Sequence, residues 1–547
     1  MVTSSAVVGS SSSSSLGRFT IAAAIIARWS IPPESSWGYL SQIPSGSGSS
    51  AAAIAAQEQG AKTVLLEKTA FPAGAGTFAG GLFAADSSQQ KEQGKVVDKA
   101  WLYKQYMDIS GGYVNSRLVR RIIDESGFTV DWLNKHGADV KLVSAGTGHA
   151  FDHVGMPATL HAYQKGGAKA IRALHDSFRK LGGTIRYTTP AQELLFDEEG
   201  RICGVKAKDK KGETVEIRAK AVVLATGGFG GNAEMMTKFI GKPHTLGEVT
   251  QNTGDGLRMA WKAGAAERGA EVAQYFFQKL SSDSLSEVSA ALGKPYPVEL
   301  VQMSFRPFLR VNLAGDRFSD ETKVTLFAIH GAELHMQPQE TEYMLFDETA
   351  LEKIAEGGYA AIEEHFGAFR DKPEFFMEFN LPNDTKVESD EERKPRDLRA
   401  MFAKLAESTP KTKTVVKGES IADLARALGM DPKRLEASVA QYNEAAETGR
   451  DDLFFADGKR FEPLLKGPFY AVKWTARNLG TLGGIAVDEK LRAITDRGDV
   501  VPGLWAAGAD AGGMYGKSYV DFEGGTLGFA YISGRLAGED AAKYVRR

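Results

Sequence analysis

An α/β fold, with a nucleotide-binding unit interrupted in sequence by an inserted domain, is predicted by three observations. The first is Gly46-Ser47-Gly48-Ser49-Ser50-Ala51, followed by a helix of small residues and then by an acid, Glu67, at the end of a short apolar strand. The second is the buried-strand pattern Ala221-Val222-Val223-Leu224, which runs into Ala225-Thr226-Gly227-Gly228. The third is a change of texture. Glycine clusters thin out near residue 276 and return at Leu482-Gly483-Gly484.

The first stretch reads G-x-G-x-x-A. Gly46 makes a tight turn, Gly48 lets a pyrophosphate approach the backbone, and the small third residue lets the helix pack on the sheet. The helix N-terminus then offers unpaired N–H groups and a partial positive charge to phosphate. Helix Ala51 to Gln59 ends at Gly60, and strand Thr63-Val64-Leu65-Leu66 places Glu67 where a carboxylate can accept hydrogen bonds from a ribose. Read without a ligand, the same residues are a Gly/Ser-rich loop before an ordinary helix. The acid at the strand end favours the nucleotide.

The residues before Gly46 fit this pattern poorly. A central strand should run straight into the glycines, but Trp37 to Ser45 is broken by Gly38, Ser41, Gln42 and Pro44, and proline has no N–H for a ladder. The first strand is therefore missing, supplied in unusual form, or altered in this chain. Residues 1–45 read as a poorly ordered N-terminal extension with a serine run at Ser10 to Ser15. The apolar run Phe19 to Ala27 is too short to span a bilayer and resembles a secretory h-region, with Arg18 as its one preceding basic residue. A cytoplasmic, bacterial location is the first reading and export by an N-terminal signal the second.

Composition bounds the rest. With 547 residues, 43% hydrophobic and 25% charged, the chain suits two or three soluble domains. A formal net charge of −3 argues against nucleic acid as a partner, and no run suggests an integral membrane segment. One cysteine, Cys203, excludes an intrachain disulfide, a CxxCH haem attachment and a cysteine-ligated metal site.

Further along, Gly74-Ala75-Gly76-Thr77 and Ala79-Gly80-Gly81 mark close backbone approach or a flexible loop. A helix carrying Val119, Ile122 and Ile123 and a second short one carrying Val130, Trp132 and Leu133 are expected. Residues 165–182 read as an amphipathic helix, with Ile171, Leu174, Phe178 and Leu181 on one face. Ile202 to Lys208 and Thr214 to Lys220 flank a turn and predict a hairpin. Asp255 follows Asn252-Thr253-Gly254 and is placed to cap a helix or to hold a sugar or phosphate hydroxyl. The charge run 389–396 reads as a solvated loop. The predicted division is a first nucleotide-binding part over 46–275, an inserted domain over 276–481 and a second nucleotide-binding part over 482–547.

Together GSGSSA with Glu67, AGTFAGG, ATGGFGG, TGDG, NLAGDRFSDE, TLGG, GLWAAGADAGG and EGGTLGFAYISGRLAGEDAA resemble the FAD-dependent oxidoreductases of the fumarate reductase flavoprotein group, which includes the 3-ketosteroid dehydrogenases. The resemblance runs from Gly46 to the C-terminus. It implies a Rossmann-like FAD-binding domain, discontinuous in sequence, under an inserted α+β capping domain, with substrate between cap and flavin. It also implies that Gly46, Gly48, Ser50, Glu67, Lys68, Gly76, Thr77, Gly81, Ala225, Thr226, Gly227, Asp255, Asp510, Thr526 and Leu527 lie near FAD. No metal ligand set is expected.

Departures from the group speak to substrate. Fumarate-type members carry an arginine acid four residues after the glutamate of GxRFxxE; here the motif is Gly315 to Glu321 and that position is Thr325. They carry a histidine where this chain has Gly480, and an arginine before the late Gly-Gly, where this chain has Lys517 to Glu523. A dicarboxylate needs fixed cations, ideally bidentate arginines, so a dicarboxylate substrate is not expected. The ketosteroid branch carries a tyrosine that Gly516-Lys517-Ser518-Tyr519 resembles, although its catalytic-base tyrosine would fall at Thr325. Tyr519 is thus the first candidate to polarise a substrate carbonyl. Arg477 could pair with an oxyanion, and Lys323, two residues before Thr325, could take over proton transfer if burial lowered its pKa. Tyr275, Phe276, Phe277 and Phe522 favour a flat apolar molecule, or are plain core.

The expected activity is hydride transfer between flavin N5 and a C–C bond next to a ketone or enone in a bulky uncharged substrate, steroid-like or polyphenol-like, with reduction as the expected direction. A 3-ketosteroid dehydrogenase, an isoflavonoid-type reductase, a fumarate reductase-like enzyme with an altered acid, and a flavin-free binding homologue remain alternatives. With no haem motif, electrons come from or go to a separate carrier.

Overall fold

The central sheet is held by strands that are buried along nearly their whole length. The computed structural model describes residues 20–24, 46–72, 74–143, 159–241, 243–293, 298–358, 361–362, 397–520 and 524–546. Strand Ala221–Leu224 is buried at every position and Lys62–Leu66 at all but its first, the mark of parallel strands covered on both faces. Six strands pair in the order Arg492–Ile494, Val500–Ala506, Ala221–Leu224, Thr20–Ala24, Lys62–Leu66, Thr184–Arg186. All neighbours are parallel except the edge strand Arg492–Ile494.

The strand that the sequence does not show before Gly46 is supplied by Thr20–Ala24, which pairs with Val64 to Leu66 on one side and Val222 to Leu224 on the other. This corrects the reading of residues 1–45 as an extension outside the fold. The remainder of that segment, with its serine run and Trp37 to Ser45, lies outside the described residues. Chain order runs outward from Thr20–Ala24 in opposite directions, so the sheet switches there. Register places Ala24 level with Leu66 and Leu224, so Glu67 and Ala225 flank the crevice at the carboxyl ends of the strands.

Two helices of small residues cross beside that crevice. Helix Ser47–Glu58 is buried from Ser47 to Ala56, too uniformly for an amphipathic surface helix. It lies against the C-terminal helix Gly525–Val545. A β-carbon on Gly534 would stand 2.1 Å from the Gly48 carbonyl oxygen, and one on Gly538 would stand 2.3 Å from that of Ala52. Only glycine permits this backbone approach.

The inserted region builds its own antiparallel sheet. Strands Ala273–Lys279 and Phe469–Thr481 lead into and out of it and pair with each other. Phe469–Thr481 also pairs with Thr341–Asp347, which pairs with Leu309–Asn312. Val415–Gly418 adds to the other edge of Phe469–Thr481. Thr341–Asp347 is wholly buried and its side chains alternate between two cores. Met344 and Phe346 pack with Leu300, Phe308 and Phe402; Tyr343 and Leu345 pack with Leu424, Leu435 and Tyr442.

The Gly315 to Glu321 motif is a clasp inside this region. The buried Arg317 guanidinium donates to both Glu321 oxygens, at 3.0 and 2.8 Å, and to both Asp451 oxygens, at 2.9 Å. The rings of Tyr442, Phe454 and Phe461 surround it at 5.3 to 5.7 Å. Two carboxylates and three ring faces thus compensate one buried cation.

Residues 116–135 form one helix, Ser116–Lys135, in place of the two expected. Gly127 sits mid-helix because a β-carbon there would meet the Ala85 carbonyl oxygen at 2.3 Å; the glycine answers a packing need and does not break the helix. Helix Gly167–Lys180 buries Ile171, Leu174 and Phe178 as expected, but Leu181 caps its end and is exposed; the hairpin of Ile202–Lys208 with Thr214–Arg218 follows its pattern. The charge run 389–396 lies outside the described residues.

Candidate active site

One cavity opens at the sheet switch and continues to the inserted sheet. At its sheet end lie Gly46 and Gly48. Gly46 has φ +70° and caps helix Ser47–Glu58 with no side-chain hydrogen bond, leaving the N-terminal N–H groups to the cavity. A β-carbon on Gly48 would come 3.2 Å from the Ala530 carbonyl oxygen, and one on Gly76 2.0 Å from Ser47 Oγ, so both glycines admit close backbone approach.

Glu67 lines the same end and is 1% exposed. Its Oε1 accepts from the Thr69 N–H at 2.7 Å and the Thr69 hydroxyl at 2.9 Å. Its Oε2 is buried without a hydrogen-bond partner among the described residues. Burial pushes its pKa up to about 7, against the pull of the Thr69 bonds. A buried carboxylate oxygen lacking a donor matches a ribose hydroxyl. Lys68, also lining, has a buried side chain paired with Asp255 at 3.2 Å. Burial pushes its pKa down to about 8, with Asp255 opposing.

The turn after Ala221–Leu224 is fixed from behind. Fully buried Asp510 accepts from the N–H groups of Thr226 at 2.5 Å and Gly228 at 2.8 Å. Gly227 has φ +88°, and its carbonyl accepts from Asn252 Nδ2 at 2.8 Å. Ala225, Thr226 and Gly227 therefore present this turn to the cavity. Thr526 and Leu527 enter from the start of helix Gly525–Val545, which is capped by Gly524 at φ +70° with no side-chain bond. Gly81 also lines the cavity, its backbone pressed against His161 and Ala162 of the neighbouring strand.

Six expected residues stand off the cavity. Ser50 turns into the helix packing, its Oγ 3.0 Å from His175 Nε2. Thr77 closes its own turn onto the Gly74 carbonyl at 2.9 Å. Asp255 and Asp510 act through Lys68 and through the Thr226 turn. Lys323 is half exposed and paired with Asp320 at 3.2 Å, and Thr325 is half buried beside it in sequence; neither lines the cavity.

The far end is aromatic. Strand Ala273–Lys279 loses register between Tyr275 and Gln278, and Phe277 has φ +66°. This bulge aims both Phe276 and Phe277 into the cavity, where strict alternation would send them to opposite faces. Helix Phe327–His335 presses on the bulge through Gly331, whose β-carbon would lie 2.7 Å from the Phe276 nitrogen, and it contributes Phe327. Tyr519 is half buried, edge-on to Phe276 at 6.4 Å between ring centres. Arg477 lines this end while donating to Glu248 from Nε at 2.9 Å and from Nη2 at 3.1 Å. Burial raises the Glu248 pKa, but Arg477 and Lys279 outweigh it and hold the carboxylate below its ordinary value. At Gly480, with φ +141°, a β-carbon would meet nothing within 4 Å. Asp521, Phe522 and Glu523 lie outside the described residues.

The donor set fits a dinucleotide whose second half carries a carbonyl-rich ring: an unpaired acid for a ribose, two uncapped helix N-termini, and glycines where a β-carbon would intrude. A family model described as FAD binding domain matches residues 43–520. The chain belongs to this FAD binding domain family. It is an FAD-dependent oxidoreductase acting on CH–CH groups, on a mixed α/β fold. It is 31% identical over 525 residues to the vinyl phenol reductase of Lactiplantibacillus plantarum, covering 92% of this chain and 96% of that one. It is 26% identical over 511 residues to the fumarate reductase (cytochrome) of Shewanella frigidimarina, covering 92% and 77%. Its fold is similar to the crystal structure of the 3-ketosteroid-Δ4-(5α)-dehydrogenase of Rhodococcus jostii RHA1, with TM-score 0.64, 21% identity and 96% of each chain covered.

Within this FAD-binding frame, several lining residues carry no motif. Gln274 lines the cavity and donates to Thr526 Oγ1 at 3.4 Å, and its only signal is its place beside the aromatic run. Asn252 belongs to the loop that supplies Asp255, and Phe327 lies in a stretch with no distinguishing sequence signal. Among the described residues, no helix is long and apolar enough to cross a membrane, and no cluster of His, Cys, Asp or Glu could hold a metal ion.

Proposed function

We propose that this flavoprotein reduces a carbon–carbon double bond conjugated to an aryl ring or a carbonyl, in a flat, uncharged molecule. The proposal takes the parallel sheet with its two sequence segments as a Rossmann-like FAD-binding domain and the inserted sheet as its cap, with substrate between them. The observation that carries it is the aromatic end of the cavity. Phe276, Phe277, Phe327 and Tyr519 converge there, and the arginine among them is already paired with Glu248. Such a wall favours planar apolar molecules over dicarboxylates. The vinyl phenol reductase relative supports the aryl-alkene form of the reading.

Bound FAD supplies the hydride chemistry, and the protein fixes geometry, excludes water and manages a proton. Gly46, Gly48 and Glu67 would hold the nucleotide half, and the N-terminus of helix Gly525–Val545 would serve the ring half. Tyr519 Oη is the proposed hydrogen-bond and proton donor to the substrate, a role its place at the aromatic end of the cavity allows.

The test is anaerobic turnover with reduced viologen as the separate electron donor. 4-Vinylphenol, an isoflavone, a steroid enone and fumarate are offered in parallel. Reduction of 4-vinylphenol, or of another uncharged conjugated alkene, at a kcat/KM at least a hundredfold above that for fumarate is expected. Preference for fumarate overturns the proposal. Oxidation of saturated 3-ketosteroids with an electron acceptor, in place of alkene reduction, moves the assignment to the dehydrogenase reading.

A further inference from the structure

Arg477, on the wall of the cavity, is paired with Glu248, which stands behind it and does not itself line the cavity. Among the described lining residues the cationic side chains are Lys68, at the Glu67 end, and Arg477, at the aromatic end. A guanidinium binds a carboxylate best along an edge that offers two parallel N–H groups. The Nε–Nη2 edge of Arg477 is such an edge, and Glu248 occupies it, at 2.9 and 3.1 Å. Glu248 is held in place by its backbone, whose N–H donates to the Asn478 carbonyl at 2.9 Å, one residue beyond Arg477. A second cation, Lys279, lies 3.5 Å from Glu248 Oε1 but does not line the cavity.

A substrate carboxylate approaching Arg477 from the cavity finds the Nε–Nη2 edge already filled by Glu248, whose charge lies behind it. A neutral group has no need of that edge. We infer that Glu248 is a specificity-determining residue that, by occupying the side-on edge of Arg477, rejects carboxylate-bearing aryl substrates and admits their uncharged counterparts. The inference rests on the proposed aryl-alkene reading for the class of substrate, and it assigns the rejection to one side chain. Denying a competing carboxylate its binding edge is specificity set against the wrong substrate, which attractive contacts to the preferred one cannot supply alone.

The experiment is a binding titration on FAD-loaded protein, read by perturbation of the flavin absorption spectrum, so it needs no turnover. The probes are 3-phenylpropanoate and its neutral isostere 3-phenylpropanamide. Wild-type protein is expected to bind the amide at least tenfold more tightly. In Glu248→Gln, which keeps the shape and removes the charge, the preference is expected to collapse to threefold or less, or to reverse, through tighter carboxylate binding. Equal binding of both probes by wild type overturns the inference, and that comparison stands even if the variant does not fold. An unchanged preference in a variant of normal FAD content and melting temperature overturns it as well. If neither probe binds wild type, the aryl-substrate reading fails. Carboxylate binding that appears only in Glu248→Gln then still supports the role of Glu248, and its failure to appear overturns it.

Discussion

Gly534 faces the Gly48 carbonyl so closely that a β-carbon would stand 2.1 Å from the oxygen. The two residues lie on different helices, and Gly48 also lines the cofactor cavity. The C-terminal helix therefore sets the position of the helix N-terminus that Gly46 caps. Gly534→Ala is expected to push the helices apart. Overpacking of this kind costs about 1–3 kcal/mol. A lower melting temperature and a reduced FAD content, measured on the same preparation, are the expected outcome. An alanine variant with normal FAD content and stability would show that the helices can slide without cost.

Glu67 gives a pH-dependent prediction. Burial raises its pKa to about 7 in the protein without cofactor. The folded apoprotein therefore holds this proton where the unfolded chain, near the ordinary carboxyl value, has lost it. The group's contribution to apoprotein stability is complete below about pH 4 and is lost as pH rises to about 7. Hydroxyl donors on Oε2 favour the ionised form, so FAD binding releases the proton. Affinity for FAD is expected to rise with pH up to about 7 and then level off. In Glu67→Gln that dependence should flatten, and binding should weaken by about 1.5–3 kcal/mol, the usual worth of a hydrogen bond to a charged group. Fluorescence titration of apoprotein with FAD from pH 5 to 8.5 reads both effects. A slope retained in the variant assigns the proton elsewhere.

The glycine turns and close approaches were legible in the sequence because their requirements are local. Gly46, Gly48 and Gly227 each answer a backbone demand that shows in a few neighbouring letters. Strand Thr20–Ala24 was not legible, because residues 25–45 separate it from the glycine loop it normally runs into. Ser50 was misplaced for a different reason. Its partner, His175, lies on a distant helix, and only packing decides that the hydroxyl turns away from the cavity. The same holds for Arg477, whose charge is answered by Glu248 far along the chain. Composition and spacing name the residue types of a site, while tertiary pairing decides which charges remain available to a ligand.

The bulge at Phe276 and Phe277 yields a prediction about substrate alone. Gly331 lets helix Phe327–His335 approach the bulge, since a β-carbon there would lie 2.7 Å from the Phe276 nitrogen. Gly331→Ala is expected to move Phe327 and Phe276 relative to the cavity while leaving the FAD loops in place. The expected result is normal FAD content with KM raised about tenfold, in line with about 1–3 kcal/mol of overpacking strain expressed at the aromatic wall. Steady-state kinetics on the best substrate of the panel reads this. Loss of FAD would mean that the helix supports the whole fold.

Tyr519 carries the proposed proton donation, and a conservative change separates that role from packing. Its ring stands edge-on to Phe276 and 5.8 Å from Tyr515, so Tyr519→Phe keeps the ring contacts and removes only the hydroxyl. Loss of a general acid typically lowers turnover by about 10²–10⁴-fold. The expected signature is a kcat reduced by about a hundredfold or more, with KM and FAD content little changed. Reduction of the flavin by viologen, measured without substrate, should keep its rate, because the hydroxyl acts on the substrate. If turnover is unchanged in the phenylalanine variant, another group donates the proton and Tyr519 is a wall of the cavity.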